Sequence, residues 1–433
     1  MLSACGKKES YADISLKAEP LVAIDFQNVS VHDPSVVADQ GNYYIFGSHL
    51  AAAKTVDFMN WEKPADGVNK RNPLIKDPLQ EMKETFEWAK TRTFWAPDVI
   101  RLNDGRYYMY YCACEGSSPL SALGLAVADT IEGPYQDLGI LLKSGMTDTK
   151  SENDDFYDTT MYPNVVDPCV FYDTEGRLFM MYGSYSGGIY VLELDKDTGF
   201  PLEKGYGKKI LGGNHLRIEG PYVLYNPQND YYYLFLSFGG LAADGGYNIR
   251  VCRSKTPDGP YYDTDGTDMI SCKGADGTFF DDKAAQQFGL KLMGNYKWMY
   301  HEGEEGELRE GYVSPGHNSA IYQEESGKYF LVFHTRFEKQ GEHHEVRVHQ
   351  MFFNEDGWPV VVPYRYTVDA VSGRWKLTNG NQMECIIGGV VYKGVCTKAY
   401  DEFGKKYVMT FTASSPQNKS SIWGSGLEAV SLK

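Results

Sequence analysis

Three carboxylates stand beside prolines in similar surroundings: His32-Asp33-Pro34, Val166-Asp167-Pro168 and Glu219-Gly220-Pro221. Singly, each reads as a turn, because Asp hydrogen-bonds nearby amides and Pro blocks a helix upstream. Gathered in one confined mouth, burial and like-charge repulsion would push their pKa values apart, leaving one acid protonated and another ionised near neutral pH. Glycosidic bond cleavage needs that pair: an acid protonates the leaving oxygen while a base activates water on the opposite face of the sugar. A third carboxylate close to the acid would tune it. Spacing alone does not say which residue takes which task.

Convergence depends on the elements that carry them. Five segments repeat one pattern, opening at Asp33-Pro34, Ala96-Pro97, Asp167-Pro168, Gly220-Pro221 and His317-Asn318. Each leads through a polar turn into an apolar, mostly aromatic run: Tyr43-Tyr44-Ile45-Phe46, Tyr107-Tyr108-Met109-Tyr110, Leu178-Phe179-Met180, Tyr231-Tyr232-Tyr233-Leu234 and Tyr329-Phe330-Leu331. That is a β-hairpin pattern. Further turn signals follow several units, at Glu132-Gly133-Pro134-Tyr135, Asp195-Lys196-Asp197-Thr198-Gly199, Asp258-Gly259-Pro260-Tyr261 and Asp356-Gly357-Trp358-Pro359. Two hairpins per unit, repeated five times, predict an all-β fold: a five-bladed β-propeller of four-stranded blades. The first strand of each blade would border a central channel, bringing the openers to one mouth. Asp98, two positions past its opener, and His317 join the three acids there.

The expected organisation is a tether over 1–20, a propeller over 21–362 and a small C-terminal β-barrel-like domain over 363–433. Insertions at about 60–95, 140–163 and 264–315 would form cleft walls, and residues 81–90 read as a short helix. Composition agrees with an all-β protein: 33 Tyr favour pleated surfaces and 45 Gly favour tight turns among 433 residues. A formal net charge of −16 disfavours nucleic acid, anionic lipid and polyanionic glycans, and suits a neutral ligand.

No apolar run approaches the roughly 20 residues needed to span a bilayer. Leu2-Ser3-Ala4-Cys5 resembles a lipobox, which predicts an exported bacterial lipoprotein at the cell surface or the periplasmic face of the outer membrane, its lipid the sole membrane contact. The remaining cysteines lack zinc-ligand and redox-motif spacing and read as small buried hydrophobes. A monomer is expected.

As an ordered set, Val31-His32-Asp33-Pro34-Ser35, Phe94-Trp95-Ala96-Pro97-Asp98, Pro163-Asn164-Val165-Val166-Asp167-Pro168, Arg217-Ile218-Glu219-Gly220-Pro221-Tyr222 and Gly316-His317-Asn318-Ser319 resemble glycoside hydrolase family 43, most closely its two-domain endo-acting α-1,5-L-arabinanases. The resemblance covers roughly residues 25–365. It implies inversion at the anomeric carbon, with Asp33 as general base, Glu219 as general acid and Asp167 tuning and orienting the acid. It also implies one calcium ion in the central channel with His317 as its main protein contact. The implied substrate is arabinan or its oligosaccharides. Trp95 and Phe94 are candidate walls for furanose rings, since aromatic faces stack on sugar C–H surfaces. Asp98 is a candidate for sugar hydroxyls, and Ser184, with the glycines at 183, 187 and 188, for close approach of the polymer. Arg336 reads as a channel residue or a structural ion pair. Two other activities fit the same residues: exo-acting arabinofuranosidase or β-xylosidase, and a non-catalytic glycan-binding surface lipoprotein.

Overall fold

The runs of Tyr, Phe and Met without polar alternation are strands covered on both faces. In a computed structural model all eight residues of Tyr107–Cys114 and all five of Leu178–Tyr182 are buried. The structure describes residues 26–116, 118–295, 312–353, 356–361, 365–366 and, beyond them, five strands. Cys5 and the proposed tether lie outside the described residues.

Five antiparallel blades of four strands follow one another in chain order, four of them separate sheets and the fourth belonging to a nine-stranded sheet. Blade one comprises β1 (Ser35–Asp39), β2 (Asn42–Gly47), β3 (Ala51–Thr55) and β4 (Glu62–Ala65). Blade two comprises β5 (Asp98–Arg101), β6 (Tyr107–Cys114), β7 (Ser121–Ala128) and β8 (Gln136–Ser144). Blade three is built from β9 (Cys169–Tyr172), β10 (Leu178–Tyr182), β11 (Ile189–Leu194) and β12 (Lys208–Leu211). Blade four has β13 (Ile218–Asn226), β14 (Tyr231–Phe238), β15 (Asn248–Ser254) and β16 (Leu290–Met293). Blade five has β17 (Val313–Gln323), β18 (Lys328–Arg336), β19 (His344–Phe353) and β20 (Pro359–Val361). Consecutive first strands touch in a closed circuit, β1 to β5, β9, β13, β17 and back to β1. The fold is a five-bladed propeller.

Five apolar cores fill the five gaps between blades, and the last decides closure. There Val36, Tyr43 and Ile45 of blade one meet Phe330, Val332, Val346 and Val348 of blade five. Each fully buried aliphatic or aromatic side chain contributes about 1.5–3 kcal/mol, so this seam is a substantial clasp between distant parts of the chain.

Local turn chemistry follows the sequence. Asp195 Oδ1 accepts from the amides of Asp197 and Thr198 at 3.1 and 2.8 Å, making the expected hairpin turn. The two Gly-Pro-Tyr turns share a device: Tyr135 and Tyr261 each donate their hydroxyl to the carbonyl four residues earlier, at 2.8 Å. Helix α1 (Pro78–Glu81) leads into α2 (Lys83–Trp88), the latter within the expected stretch. Cys112, Cys114, Cys169, Cys252 and Cys272 are buried and free.

The C-terminal strands β21 (Lys376–Asn379), β22 (Gln382–Ile387), β23 (Val390–Tyr400), β24 (Lys406–Ser414) and β25 (Ser421–Ser425) form an antiparallel set. It extends blade four, because β24 pairs in parallel with β16 at Lys291 and Tyr407.

Candidate active site

Four of the five strand openers share an unusual backbone. Asp33, Asp167, Gly220 and His317 have φ of 57°, 58°, 57° and 42°, while Ala96 is not in that region. Left-handed φ is costly for non-glycine residues, and its repetition at equivalent points means the ring of first strands enforces it. The effect is to aim Asp33, Asp167 and His317 into the same space, with Glu219 beside Gly220. Asp33, Asp167 and Glu219 are only 8%, 5% and 8% exposed.

Asp33 is gripped from several sides. His32 Nδ1 lies 2.7 Å and the Ser48 hydroxyl 2.5 Å from Oδ2, while His317 Nδ1 is 3.1 Å from Oδ1. The Asp33 amide donates to Nδ1 of the fully buried His334 at 3.2 Å. Burial alone would raise this carboxyl, but the charges and hydrogen bonds of His317 and His32 outweigh it and hold Asp33 well below the usual range. His317 responds in the opposite sense. Burial disfavours its charge, yet Asp33, Asp167 and Glu219 together push it up to about 9.

Glu219 sits on β13 beside a register shift. Its Oε2 accepts from the Ser184 hydroxyl at 2.8 Å and its Oε1 from the Tyr247 hydroxyl at 2.9 Å. Burial is the largest influence and raises its pKa against the lowering effect of His317 and these two donors. Asp167 is raised too, by burial first and then by repulsion from Glu219 and Asp33, opposed by His317. Its Oδ2 accepts the Gly220 amide at 3.1 Å, tying it to the residue after Glu219. One cluster thus contains a carboxyl held ionised and two that resist ionisation.

His317 offers a metal little. With Nδ1–H directed to Asp33, Nε2 is the remaining lone pair, and the surrounding carboxylates favour a proton on it. A hard cation prefers oxygen ligands, so this donor set fits only an ion that keeps most of its own water. Among the described residues a different trio, His32, Asp33 and His334, brings ligand atoms within 4.8 Å of one another.

The family model for glycosyl hydrolases family 43 matches residues 26–307. The chain belongs to glycosyl hydrolases family 43. A second model, a C-terminal lipocalin-like domain, matches residues 290–424. An extracellular endo-α-(1→5)-L-arabinanase of Bacillus subtilis (strain 168) is 50% identical, covering 92% of this chain and 93% of its own. The crystal structure of an endo-1,5-α-L-arabinanase from Thermotoga petrophila superposes with a TM-score of 0.78 at 45% identity, over 93% of this chain and all of that one. An extracellular exo-α-(1→5)-L-arabinofuranosidase of Cellvibrio japonicus is 26% identical, over 78% of this chain and 88% of its own.

Other residues of this family 43 chain stand in places the sequence did not suggest. Phe94 is 1% exposed and packs against Phe86 and Tyr111 at centroid distances of 4.7 and 5.4 Å, so it is core rather than cleft wall. Trp95 remains partly accessible, packed on the core between blades two and three. Asp98 does not face a sugar: buried, it accepts from the Ser35 hydroxyl and, at 2.5 Å, from the Val170 amide. It belongs to a set of staples between first strands. Cys169 Sγ takes the Val223 amide and Ser319 Oγ the Val36 amide in the same way, at 3.3 and 3.1 Å. Burial lifts Asp98 to about 6.

Ser184 is 4% exposed and donates to Glu219 instead of opening onto a polymer. The glycines near it accommodate the chain itself: a Cβ on Gly187 would lie 2.3 Å from the Met161 backbone, and one on Gly188 2.1 Å from the Leu211 carbonyl oxygen. Arg336 pairs with Glu342 at 2.7 Å. Tyr247 and Ser48 carry no sequence signal, while His32 lies in a quoted motif and His334 two residues before Arg336 with nothing to mark their task. Gly316 does explain Tyr247 afterwards, because a Cβ there would sit 2.1 Å from the Tyr247 ring.

Proposed function

We propose that this chain cleaves internal α-1,5-L-arabinofuranosidic bonds of arabinan with inversion. The observation that carries the mechanism is the opposite displacement of Asp33 and Glu219 within one buried cluster. Asp33, ionised, takes a proton from a water that attacks the anomeric carbon. Glu219, protonated, gives its proton to the leaving O5 as the glycosidic bond breaks. Product release then lets solvent return the proton from Asp33 to Glu219. Asp167, itself raised by burial and by repulsion from Glu219, accepts the Gly220 amide and so orients the residue beside the acid.

Two further readings belong to the same proposal. In its neutral form, with Nδ1–H toward Asp33, His317 would offer Nε2 to a hydrated calcium ion, which would then supply the positive charge beside the three carboxylates in place of the imidazolium. Export is supported by relatives named as extracellular, and attachment through Cys5 rests on the lipobox-like Leu2-Ser3-Ala4-Cys5 alone.

The test is the first minutes of digestion of linear α-1,5-arabinan, followed by product size and proton NMR. Oligosaccharides whose new reducing ends appear first as the β-anomer are expected. Arabinose as the sole early product would replace this reading with an exo-acting one, and α-anomer first would overturn inversion. Equal, negligible rates for wild type and Glu219→Ala would leave glycan binding in its place.

A further inference from the structure

Phe279 and Phe280, adjacent in the chain, are 65% and 54% exposed. Both are nevertheless held in place. The Phe279 ring stacks on His215 with centroids 4.1 Å apart and planes at 12°. Phe280 meets Tyr185 edge-on at 5.9 Å and lies 5.7 Å from the Arg217 guanidinium, which Asp282 fixes through Nε at 3.0 Å. The Phe280 amide donates to the His215 carbonyl at 3.3 Å. The two rings stand at 75° to each other, forming an open corner.

That corner connects directly to the acid. Tyr185 follows Ser184, whose hydroxyl holds Glu219, and the Tyr185 amide donates to the carbonyl of Ile218 at 2.9 Å. Arg217 precedes Ile218. Exposed aromatic rings held by Tyr185 and Arg217, one residue from Ser184 and two from Glu219, present apolar faces of the kind that pack on sugar C–H surfaces.

We infer that Phe279 and Phe280 form a sugar-stacking ledge, holding an arabinofuranose residue of the polymer beyond the cleaved bond on the Glu219 side. The inference rests on the arabinanase reading and adds a binding position to it. A chain long enough to reach the ledge is bound more tightly than one confined to the catalytic mouth.

The test compares kcat/KM on linear arabinan with kcat/KM on arabinotriose, for wild type and for the double variant Phe279→Ala, Phe280→Ala. Both side chains are exposed, so the fold survives, which circular dichroism verifies. The long-to-short ratio is expected to fall roughly fivefold to tenfold, mainly through KM, the scale of losing an aromatic contact. Phe279→Trp is expected to keep most of the ratio. An active wild type with an unchanged ratio in the double variant would overturn the ledge alone. A wild type inert on both substrates would overturn the ledge together with the arabinanase reading.

Discussion

The main-chain N–H of Asp33 donates to Nδ1 of His334, joining residues 301 apart in the sequence. Nδ1 accepts only when it carries no proton, and burial, with repulsion from His32, holds His334 well below its ordinary value. A neutral histidine therefore steadies the backbone of Asp33 while a cationic one, His317, steadies its carboxylate. Asn places an oxygen near the position of Nδ1, so His334→Asn should retain more activity than His334→Ala. An amide left without its acceptor costs about 1–3 kcal/mol, and the Ala variant should lose kcat by roughly tenfold or more with KM little changed. Equal losses in both variants would assign the effect to ring volume.

The hydroxyls on Glu219 favour its ionised form and so lower its pKa, against burial, which raises it. Removing a donor therefore raises the pKa further. In Ser184→Ala the alkaline limb of the kcat/KM profile should move to higher pH by about one unit, the equivalent of a hydrogen bond to a charged group. Tyr247→Phe should move it the same way. The acidic limb belongs to Asp33, held low by His317 and His32 against burial, and should stay in place. A shift of the alkaline limb to lower pH would contradict the direction.

Acid and base separate by leaving group. An aryl glycoside of arabinobiose departs without protonation, so Glu219→Ala should lose about 10²–10⁴ in rate on arabinan and much less on the aryl substrate. Asp33→Ala should lose heavily on both, since water still needs its base. Parallel losses for the two variants on both substrates would reverse or remove these assignments.

The inner hairpins were legible because each blade repeats a turn followed by an apolar strand, and the three acids because they open equivalent strands. Their grip was not. Tyr247, Ser48 and His334 reach the cluster from other blades or other strands, and nothing in their local sequence differs from ordinary loop or strand residues. Phe94 and Asp98 fail for a different reason: an aromatic or an acid at a strand entry looks the same whether it faces the cleft or the next blade. In this ring Phe94 is held within its own blade and the helix before it, through Tyr111 and Phe86, while the next blade claims Asp98 through the Val170 staple.

If a hydrated cation rests on His317, exhaustive chelation should lower activity and added calcium should restore it, with metal content followed by elemental analysis. Metal-free protein of unchanged rate would remove calcium from the proposal. His317→Ala should lose activity in either case, because it also deprives Asp33 of its counter-charge.

The seam between blades one and five should be costly to open. Phe330 is fully buried there, and Phe330→Ala should destabilise the protein by about 3–5 kcal/mol, measured by chemical denaturation. A loss below 1 kcal/mol would mean that the seam is not the clasp described.

That seam also gives the enzyme a clock. Asp33 emerges from the ribosome long before His317 and His334 exist, so it has neither its counter-charge nor its backbone anchor until the final blade arrives. Joining such distant segments is slow compared with forming a hairpin. A nascent or truncated chain is consequently silent however well its early blades have formed. In refolding, recovered hydrolysis should lag the return of β-sheet signal and report the moment the circle shuts.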